Sequence, residues 1–172
     1  MLSPSPAGPF DAVRVVSDGM DMSGFDCGNP DFNDYVTNEA LRDLHQDFSV
    51  TYIGVIGGYP AAFMTLVAGA YNARNIFEDG KTPYKYRQVP AVKIARIATD
   101  LKYQGRGLGS YLIDYATAVA LEVKKFIGCT LVITDALPEK ISWYQRRGFI
   151  MSMDAQRTDP GRESYPMHAF LP

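Results

Sequence analysis

The chain has 172 residues, of which 47% are hydrophobic and 21% charged, values typical of a globular domain with one substantial core. Its formal net charge is −2 and its pI about 5.6, so the totals show no basic excess of the kind that nucleic-acid-binding proteins usually carry. Composition therefore favours a small-molecule or protein substrate over a nucleic acid.

The two cysteines, Cys27 and Cys129, form no C-x-x-C pair, and only His45 and His168 could join them. We therefore expect two buried thiols in a reducing cytoplasm, with no disulfide framework and no metal site. Residues 1–10 are rich in Pro, Ser, Ala and Gly and lack the basic region and apolar run of a signal peptide. We expect a flexible tail over 1–10, no membrane segment and a cytoplasmic protein.

The first half of the chain predicts a strand, a helix and a hairpin. A β-branched apolar run predicts a strand at 12–16. Asn29 can cap a helix that starts at Pro30 and continues to about residue 46. Its apolar residues recur every three or four positions, at Phe32, Tyr35, Val36, Ala40 and Leu44. Two β-rich runs, 48–56 and 61–70, flank Gly57-Gly58-Tyr59-Pro60 and predict a hairpin.

The second half begins with a polar stretch at 71–89, and a loop of that length is more often functional than idle. The remaining patterns predict four strands and two helices. The strands are at 91–99, 129–134, 149–153 and 165–171, and the helices are at 107–125 and 138–147. The order β, α, β, β, β, α, β, α, β, β predicts an α/β sandwich in which helices cover a mixed sheet.

A glycine-rich turn joins the strand at 91–99 to the helix at 107–125. It carries Gly105, Gly107 and Gly109, which let the backbone approach a ligand closely. The free amides and the dipole at the start of the helix favour an anion such as a pyrophosphate.

Two other phosphate loops fit this turn poorly. A Walker A loop needs four residues between its glycines and then Gly-Lys-Ser/Thr, and this turn has no such lysine. The dinucleotide fingerprint needs glycine or alanine where Ser110 stands, and an acidic strand end about 20 residues later, where the helix interior lies.

The turn Gln104-Gly105-Arg106-Gly107-Leu108-Gly109 matches the acetyl-CoA signature of the GNAT acetyltransferases, Gln/Arg-x-x-Gly-x-Gly/Ala, and the chain resembles that family. The strand residues 95–100 look like the family's pantetheine-binding strand. Trp143-Tyr144 followed by Gly148-Phe149 resembles its second motif. The resemblance implies one acetyltransferase domain over 11–172, with a three-layer α/β fold whose central mixed, twisted sheet has about six or seven strands flanked by helices.

The resemblance also implies which residues bind acetyl-CoA and which acts in catalysis. The cofactor residues are two sets, the loop (Gln104, Gly105, Arg106, Gly107, Leu108, Gly109 and Ser110) and the backbone of the strand (Ile97, Ala98 and Thr99). Arg106 either adds charge there or points to solvent. Tyr144 is the expected general acid, and Glu78, Asp79 and Asp135 are candidates for a general base that nothing in the sequence selects.

Residues 24–30 and 95–109 also resemble the toxin branch of the family, whose members acetylate aminoacyl-tRNA and pair with small antitoxins. Because the chain is acidic, we expect a primary amine of a small molecule or protein as the acceptor; the charge disfavours a nucleic-acid partner but leaves tRNA open. Acetylation of aminoacyl-tRNA is the first alternative, and a non-catalytic acyl-CoA-binding module is the second. The sequence leaves a homodimer and an antitoxin partner open.

Overall fold

A computed structural model describes residues 8–77, 81–153 and 161–172. Within these ranges the chain forms seven strands, which are β1 (Ala12–Val15), β2 (Val50–Ile56), β3 (Tyr59–Asn72), β4 (Gln88–Thr99), β5 (Leu131–Ala136), β6 (Ile150–Met151) and β7 (Tyr165–Phe170). Its α-helices are α1 (Pro30–Asp34), α2 (Ala40–His45), α3 (Leu108–Val123) and α4 (Ile141–Gln145). Shorter helical segments are a π-helical turn at Tyr35–Glu39 and 3-10 turns at Ala73–Asn75, Leu101–Tyr103 and Pro138–Lys140.

The strands form one mixed sheet in the order β1-β2-β3-β4-β5-β7-β6. β4 and β5 are parallel, while β1 and β2, β2 and β3, β5 and β7, and β6 and β7 pair antiparallel. The parallel pair is possible because α3 provides the crossover between β4 and β5. The predicted element order and the mixed α/β sheet are thus confirmed.

The chain divides into two compact units, Met1–Val67 with Ala95–Tyr115, and Ala68–Ile94 with Ala116–Pro172. The first unit has its own apolar core, formed by Val16, Met22, Phe25, Tyr35, Val36, Ala40, Ile53 and Phe63. The second unit has another, formed by Tyr71, Ala73, Val89, Ala91, Leu131 and Ile133. The single domain over 11–172 stays a prediction.

The first predicted helix is interrupted rather than continuous. Asn29 caps it as expected, accepting hydrogen bonds from two backbone amides of the first turn. The α-helix gives way after Asp34 to the π-helical turn, and α2 resumes at Ala40. Tyr35 and Ala40 are five residues apart, one π turn, and both are buried. The wider turn therefore keeps both side chains in the core.

The hairpin turn is shorter than predicted. Ile56 pairs with Tyr59, so only Gly57 and Gly58 form the turn, and Tyr59 and Pro60 belong to β3. Both glycines have positive φ, of 59° and 77°, as a two-residue hairpin turn between right-handed strands requires.

Several boundaries also differ from those predicted. β3 and β4 extend into the predicted loop at 71–89, and the helix at 138–147 divides into a 3-10 turn and α4. The strand at 149–153 shortens to two residues. Phe10, the last residue of the predicted tail, packs edge to face on Tyr111 with ring centroids 5.6 Å apart, whereas residues 1–7 lie outside the described ranges. Across those ranges, no helix has the length and apolar character needed to cross a membrane.

His168 on β7 is a buried titratable group in the second unit. It is 1% exposed, and its ring lies 5.6 Å from those of Tyr71 and Phe170. Its Nδ1 has no hydrogen-bond partner among the described residues. Burial lowers the pKa of His168 below its ordinary value because the charged imidazolium cannot be solvated there.

This buried histidine should make the fold sensitive to acid. Above pH 6.5 the imidazole is mostly neutral in both the folded and the unfolded state. Below pH 6.5 His168 becomes protonated in the unfolded chain but stays neutral in the folded chain, so the free energy of unfolding falls. Between pH 7.5 and 5.5 we expect the wild type to lose about 1 kcal/mol more than His168→Gln in urea denaturation. An identical pH dependence for the two proteins would contradict the role of His168.

Candidate cofactor site

The glycine turn lies between the 3-10 turn Leu101–Tyr103 and the start of α3 at Leu108. Gly105 and Gly107 have φ of +77° and +80°, a conformation that side chains other than glycine adopt only with strain. A Cβ built at either position meets no atom within 4 Å, so the space beside the turn is open. The turn therefore presents bare backbone to that space.

α3 provides the electrostatic part of the site. It has 16 residues, and Tyr111 N–H donates to the Gly107 carbonyl at 3.1 Å as the helix begins. The amide groups of a helix's first turn have no acceptor within the helix and carry the positive end of its dipole. The predicted turn thus has the geometry and the charge distribution of an anion site.

The edge of β4 continues beyond its pairing with β5. The parallel ladder ends at the pair Ile94 and Thr134, yet β4 runs on to Thr99. The backbone of residues 95–99, which includes the predicted Ile97, Ala98 and Thr99, therefore lies outside that ladder. The Thr99 carbonyl accepts a hydrogen bond from Gln104 Nε2 at 3.0 Å, so one of these groups is used to hold the glycine turn.

Asp100, directly after the end of β4, holds several parts of this region together, and this role could not be predicted from the sequence. Asp100 is 1% exposed, and its carboxylate accepts two backbone hydrogen bonds, from Asp26 N–H at 3.0 Å and Lys102 N–H at 2.9 Å. Its own backbone N–H donates to the Ala61 carbonyl at 2.9 Å. Asp100 therefore joins β3, the segment before α1 and the start of the glycine turn.

The segment before α1 is held against the turn by further bonds. Leu101 N–H donates to the Asp26 carbonyl at 2.8 Å. The Asp26 carboxylate accepts from Gly28 N–H and from Asn33 Nδ2, each at 2.8 Å, and these bonds lower the pKa of Asp26. Cys27 donates its backbone N–H to Asn33 Oδ1 at 2.9 Å and its thiol to the same oxygen at 3.1 Å.

The cations of the turn interact with aromatic rings. Arg106 Nη2 donates to the Lys102 carbonyl at 3.0 Å, and its guanidinium lies 5.2 Å from the centre of the Tyr103 ring. Lys102 Nζ lies 4.9 Å from the Tyr59 ring, which stacks on Tyr103 with centroids 5.9 Å apart. Arg106 is thus exposed, and its two contacts stabilise the loop to which it belongs.

Tyr144 belongs to the second unit and is buried there, 5% exposed. Its ring packs edge to face on Trp143 and on Phe149, with centroids 4.8 Å and 5.3 Å away. Its hydroxyl shares a hydrogen bond with the Thr134 side chain, and Thr134 Oγ1 donates to the Ile94 carbonyl at 3.1 Å.

Burial raises the pKa of Tyr144 above its ordinary value, and the bonds to Thr134 and the charge of Arg147 only partly oppose this shift. The phenol is therefore protonated at neutral pH. A protonated, oriented phenol can act as a proton donor.

The other predicted residues have local roles. Asp135 forms an ion pair with Lys93, with Nζ and Oδ2 2.6 Å apart, while Glu78 and Asp79 lie outside the described ranges. Arg147 donates to the Trp143 carbonyl at 2.7 Å, as expected of a cation at a helix end. Cys129 is buried, as expected, but Cys27 is only half-buried. No cluster of three or more His, Cys, Asp or Glu residues suited to a metal occurs in the part of the chain that the structure describes.

Comparison with known proteins gives a consistent result. The family model "Acetyltransferase (GNAT) domain" matches residues 55–151. A tRNA-acetylating toxin from Mycobacterium tuberculosis strain H37Rv is 28% identical over 158 residues, which cover 88% of this chain and 89% of the toxin.

Two solved structures share the fold. AtaT complexed with acetyl-methionyl-tRNAfMet has a TM-score of 0.77 at 22% identity and covers 94% of each chain. AtaTR bound with acetyl-CoA has a TM-score of 0.73 at 22% identity and covers 93% of each chain. The likeness extends over nearly the whole length of both chains.

The carboxylate of Asp100 should be necessary for the stability of the first unit. In Asp100→Asn, an NH2 group replaces one acceptor oxygen and faces an N–H donor. We expect the free energy of unfolding to fall by about 2–3 kcal/mol in urea denaturation. Asp114→Asn, an exposed aspartate of α3 in the same unit, should change it by less than about 0.5 kcal/mol. Equal effects of the two substitutions would contradict the role of Asp100.

Proposed function

This chain belongs to the GNAT acetyltransferase family, and from that premise we propose that it transfers the acetyl group of acetyl-CoA to the α-amino group of aminoacyl-tRNA. The observation that carries the proposal is the likeness to the tRNA-acetylating toxin over 88% of this chain. A small-molecule or protein amine, the acceptor predicted from composition, is the competing candidate, and the net charge of −2 favours it. Both candidates are primary amines, so the same transfer chemistry serves either.

Acetyl-CoA is the cosubstrate, and we propose that the glycine turn binds its pyrophosphate. The open space beside Gly105 and Gly107 and the first-turn amides of α3 support this assignment. The same proposal assigns Gln104 to holding the turn, and Leu108, Gly109 and Ser110 to the anion site. Arg106, whose side chain stays exposed, would add positive charge.

The backbone of Ile97, Ala98 and Thr99 would pair with the pantetheine arm as an added strand would, because it lies outside the β4–β5 ladder. Such pairing aligns the thioester along a rigid edge. It supplies orientation, which is a large part of the rate enhancement in a two-substrate transfer.

The proposed mechanism is direct transfer. The amine nitrogen attacks the thioester carbonyl carbon, the carbon–sulfur bond breaks, and CoA leaves as a thiolate that takes the phenolic proton of Tyr144. The amine loses its proton to solvent, and the Tyr144 phenolate takes a proton from solvent, so the phenol is restored. The raised pKa of Tyr144 supports this role, since the acid stays protonated over the whole neutral range.

The cytoplasmic location and the single domain over 11–172 remain proposals from the sequence.

The acceptor is tested by incubating the enzyme with acetyl-CoA and aminoacyl-tRNA, a peptide amine or a small amine. We expect transfer to the charged tRNA at the lowest enzyme concentration. Transfer to the other amines alone would overturn the proposed acceptor.

Binding of the cosubstrate is tested in parallel by thermal melting. Acetyl-CoA at 100 times its Kd should raise the Tm of the wild type by about 5 °C or more. Gly107→Glu should abolish the shift, since it places bulk and negative charge where the pyrophosphate binds. Gly19→Glu is the matched control, with φ of +79° and open space but in another turn, and it should keep the shift. Loss of the shift in both variants would mean that backbone strain, not the site, is responsible.

Tyr144→Phe separates proton donation from packing, because it keeps the ring and deletes the hydroxyl. We expect the affinity for acetyl-CoA to stay nearly unchanged and kcat to fall by about 10²-fold, measured under conditions where chemistry limits turnover. Thr134→Val removes the hydroxyl's resting partner but keeps the shape, and it should leave kcat within about threefold of wild type. A Tyr144→Phe enzyme with near-wild-type kcat would reduce Tyr144 to a packing residue.

A further inference from the structure

The net charge of −2 conceals an uneven distribution between the two units. The unit of Met1–Val67 and Ala95–Tyr115 has 5 Lys and Arg against 11 Asp and Glu, a net charge of −6. The unit of Ala68–Ile94 and Ala116–Pro172 has 12 against 8, a net charge of +4. A polyanion would therefore be attracted to the second unit and repelled by the first.

Within the second unit, one exposed segment combines cations with aromatic rings. It reads Lys81-Thr82-Pro83-Tyr84-Lys85-Tyr86-Arg87, has three cations and no acidic residue, and is called the basic–aromatic segment below. Lys85 and Arg87 are exposed, and no carboxylate of the described residues lies within salt-bridge distance of either. Their charges are thus available to a ligand.

The segment is fixed to the fold at two points. Tyr84 packs edge to face on Phe77, with centroids 5.6 Å apart. The Arg87 carbonyl accepts a hydrogen bond from Ala73 N–H at 2.8 Å. This bond places Ala73, and with it the exposed next residue Arg74, beside the backbone of Arg87. No carboxylate of the described residues lies within salt-bridge distance of Arg74.

Tyr86 differs from Tyr84 in that its ring is 72% exposed. Lys85 Nζ lies 5.9 Å from the centre of this ring. An exposed tyrosine ring next to cations is the arrangement with which proteins bind single-stranded nucleic acid, the cations contacting phosphates and the ring stacking on a base. An acidic peptide would use the same cations but gain little from the ring.

We propose that the basic–aromatic segment binds single-stranded RNA, with Lys85, Arg87 and Arg74 contacting phosphates and Tyr86 stacking on a base. The inference rests on the proposed function, in which the acceptor amine is carried at the single-stranded 3′ end of a tRNA. The segment would then hold the RNA, while the acetyl transfer takes place on its terminal amino acid.

The experiment measures the affinity of the full-length protein for uncharged total tRNA at several KCl concentrations. Replacing both cations, in Lys85→Gln/Arg87→Gln, should weaken binding about 10-fold at 0.1 M salt and reduce the slope of log K against log[KCl] by about 1.4. Tyr86→Ala should weaken binding about 5-fold or more, whereas Tyr86→Phe should restore it, because either ring can stack on a base.

A matched control comes from Lys124, Lys125 and Phe126, which also combine two cations with an exposed ring in the second unit. Lys124 donates to the Pro172 carbonyl and Lys125 pairs with Glu122, so both cations are already engaged. Lys124→Gln/Lys125→Gln and Phe126→Ala should leave the affinity and the slope unchanged. Equal losses in these controls, or none in the segment variants, would overturn the proposal.

Four further readouts separate the alternatives. Thermal stabilisation by acetyl-CoA and acetylation of a small amine should be unaffected in all segment variants. Segment variants that lose affinity for polyglutamate but keep it for tRNA would assign the segment to an acidic protein and overturn the proposal. If the wild type does not acetylate charged tRNA but its tRNA binding depends on the segment, the proposed function fails and this inference stands. If segment variants acetylate charged tRNA and bind tRNA like wild type, the proposed function stands and this inference fails.

Discussion

Two backbone hydrogen bonds to the buried carboxylate of Asp100 organise the proposed cofactor site. Asp100 follows the last residue of β4, so its backbone ends the strand while its side chain fixes the entry to the glycine turn. The bond from Asp26 N–H brings in a segment 74 residues earlier in the chain. A buried charge is costly unless donors surround it, and here all of its donors come from elements that border the turn. The shape of the turn therefore depends on the fold of the whole first unit.

The sequence predicted those features that depend on local pattern. Element order follows from periodicity, the Asn29 cap from its side chain, and the bare backbone of the turn from the lack of side chains at Gly105 and Gly107. The π-helical turn was not predicted because Val36 and Ala40, four residues apart, fit the apolar stripe of an ordinary α-helix. The roles of Asp100 and of the Tyr144–Thr134 bond could not be predicted, because both depend on contacts between residues far apart in sequence.

The net charge of the chain is a weaker guide to its acceptor than the places where the charges lie. A total of −2 disfavours a nucleic-acid acceptor, yet it is the sum of a strongly acidic unit and a basic one. Phosphate contacts depend on local cations, and long-range repulsion from the acidic unit is screened beyond about 10 Å at moderate salt. The totals are thus compatible with a tRNA acceptor, which the likeness to the tRNA-acetylating toxin favours.

We propose that acetyl-CoA binds at the turn that Asp100 holds in place. Hydrogen–deuterium exchange of the backbone amides, with and without saturating acetyl-CoA, tests it most directly. The account predicts slower exchange in peptides spanning residues 104–110 and along the edge of β4 at 97–99, because the cosubstrate accepts hydrogen bonds from those amides. Unchanged exchange at 104–110 in protein that has bound acetyl-CoA would contradict the account.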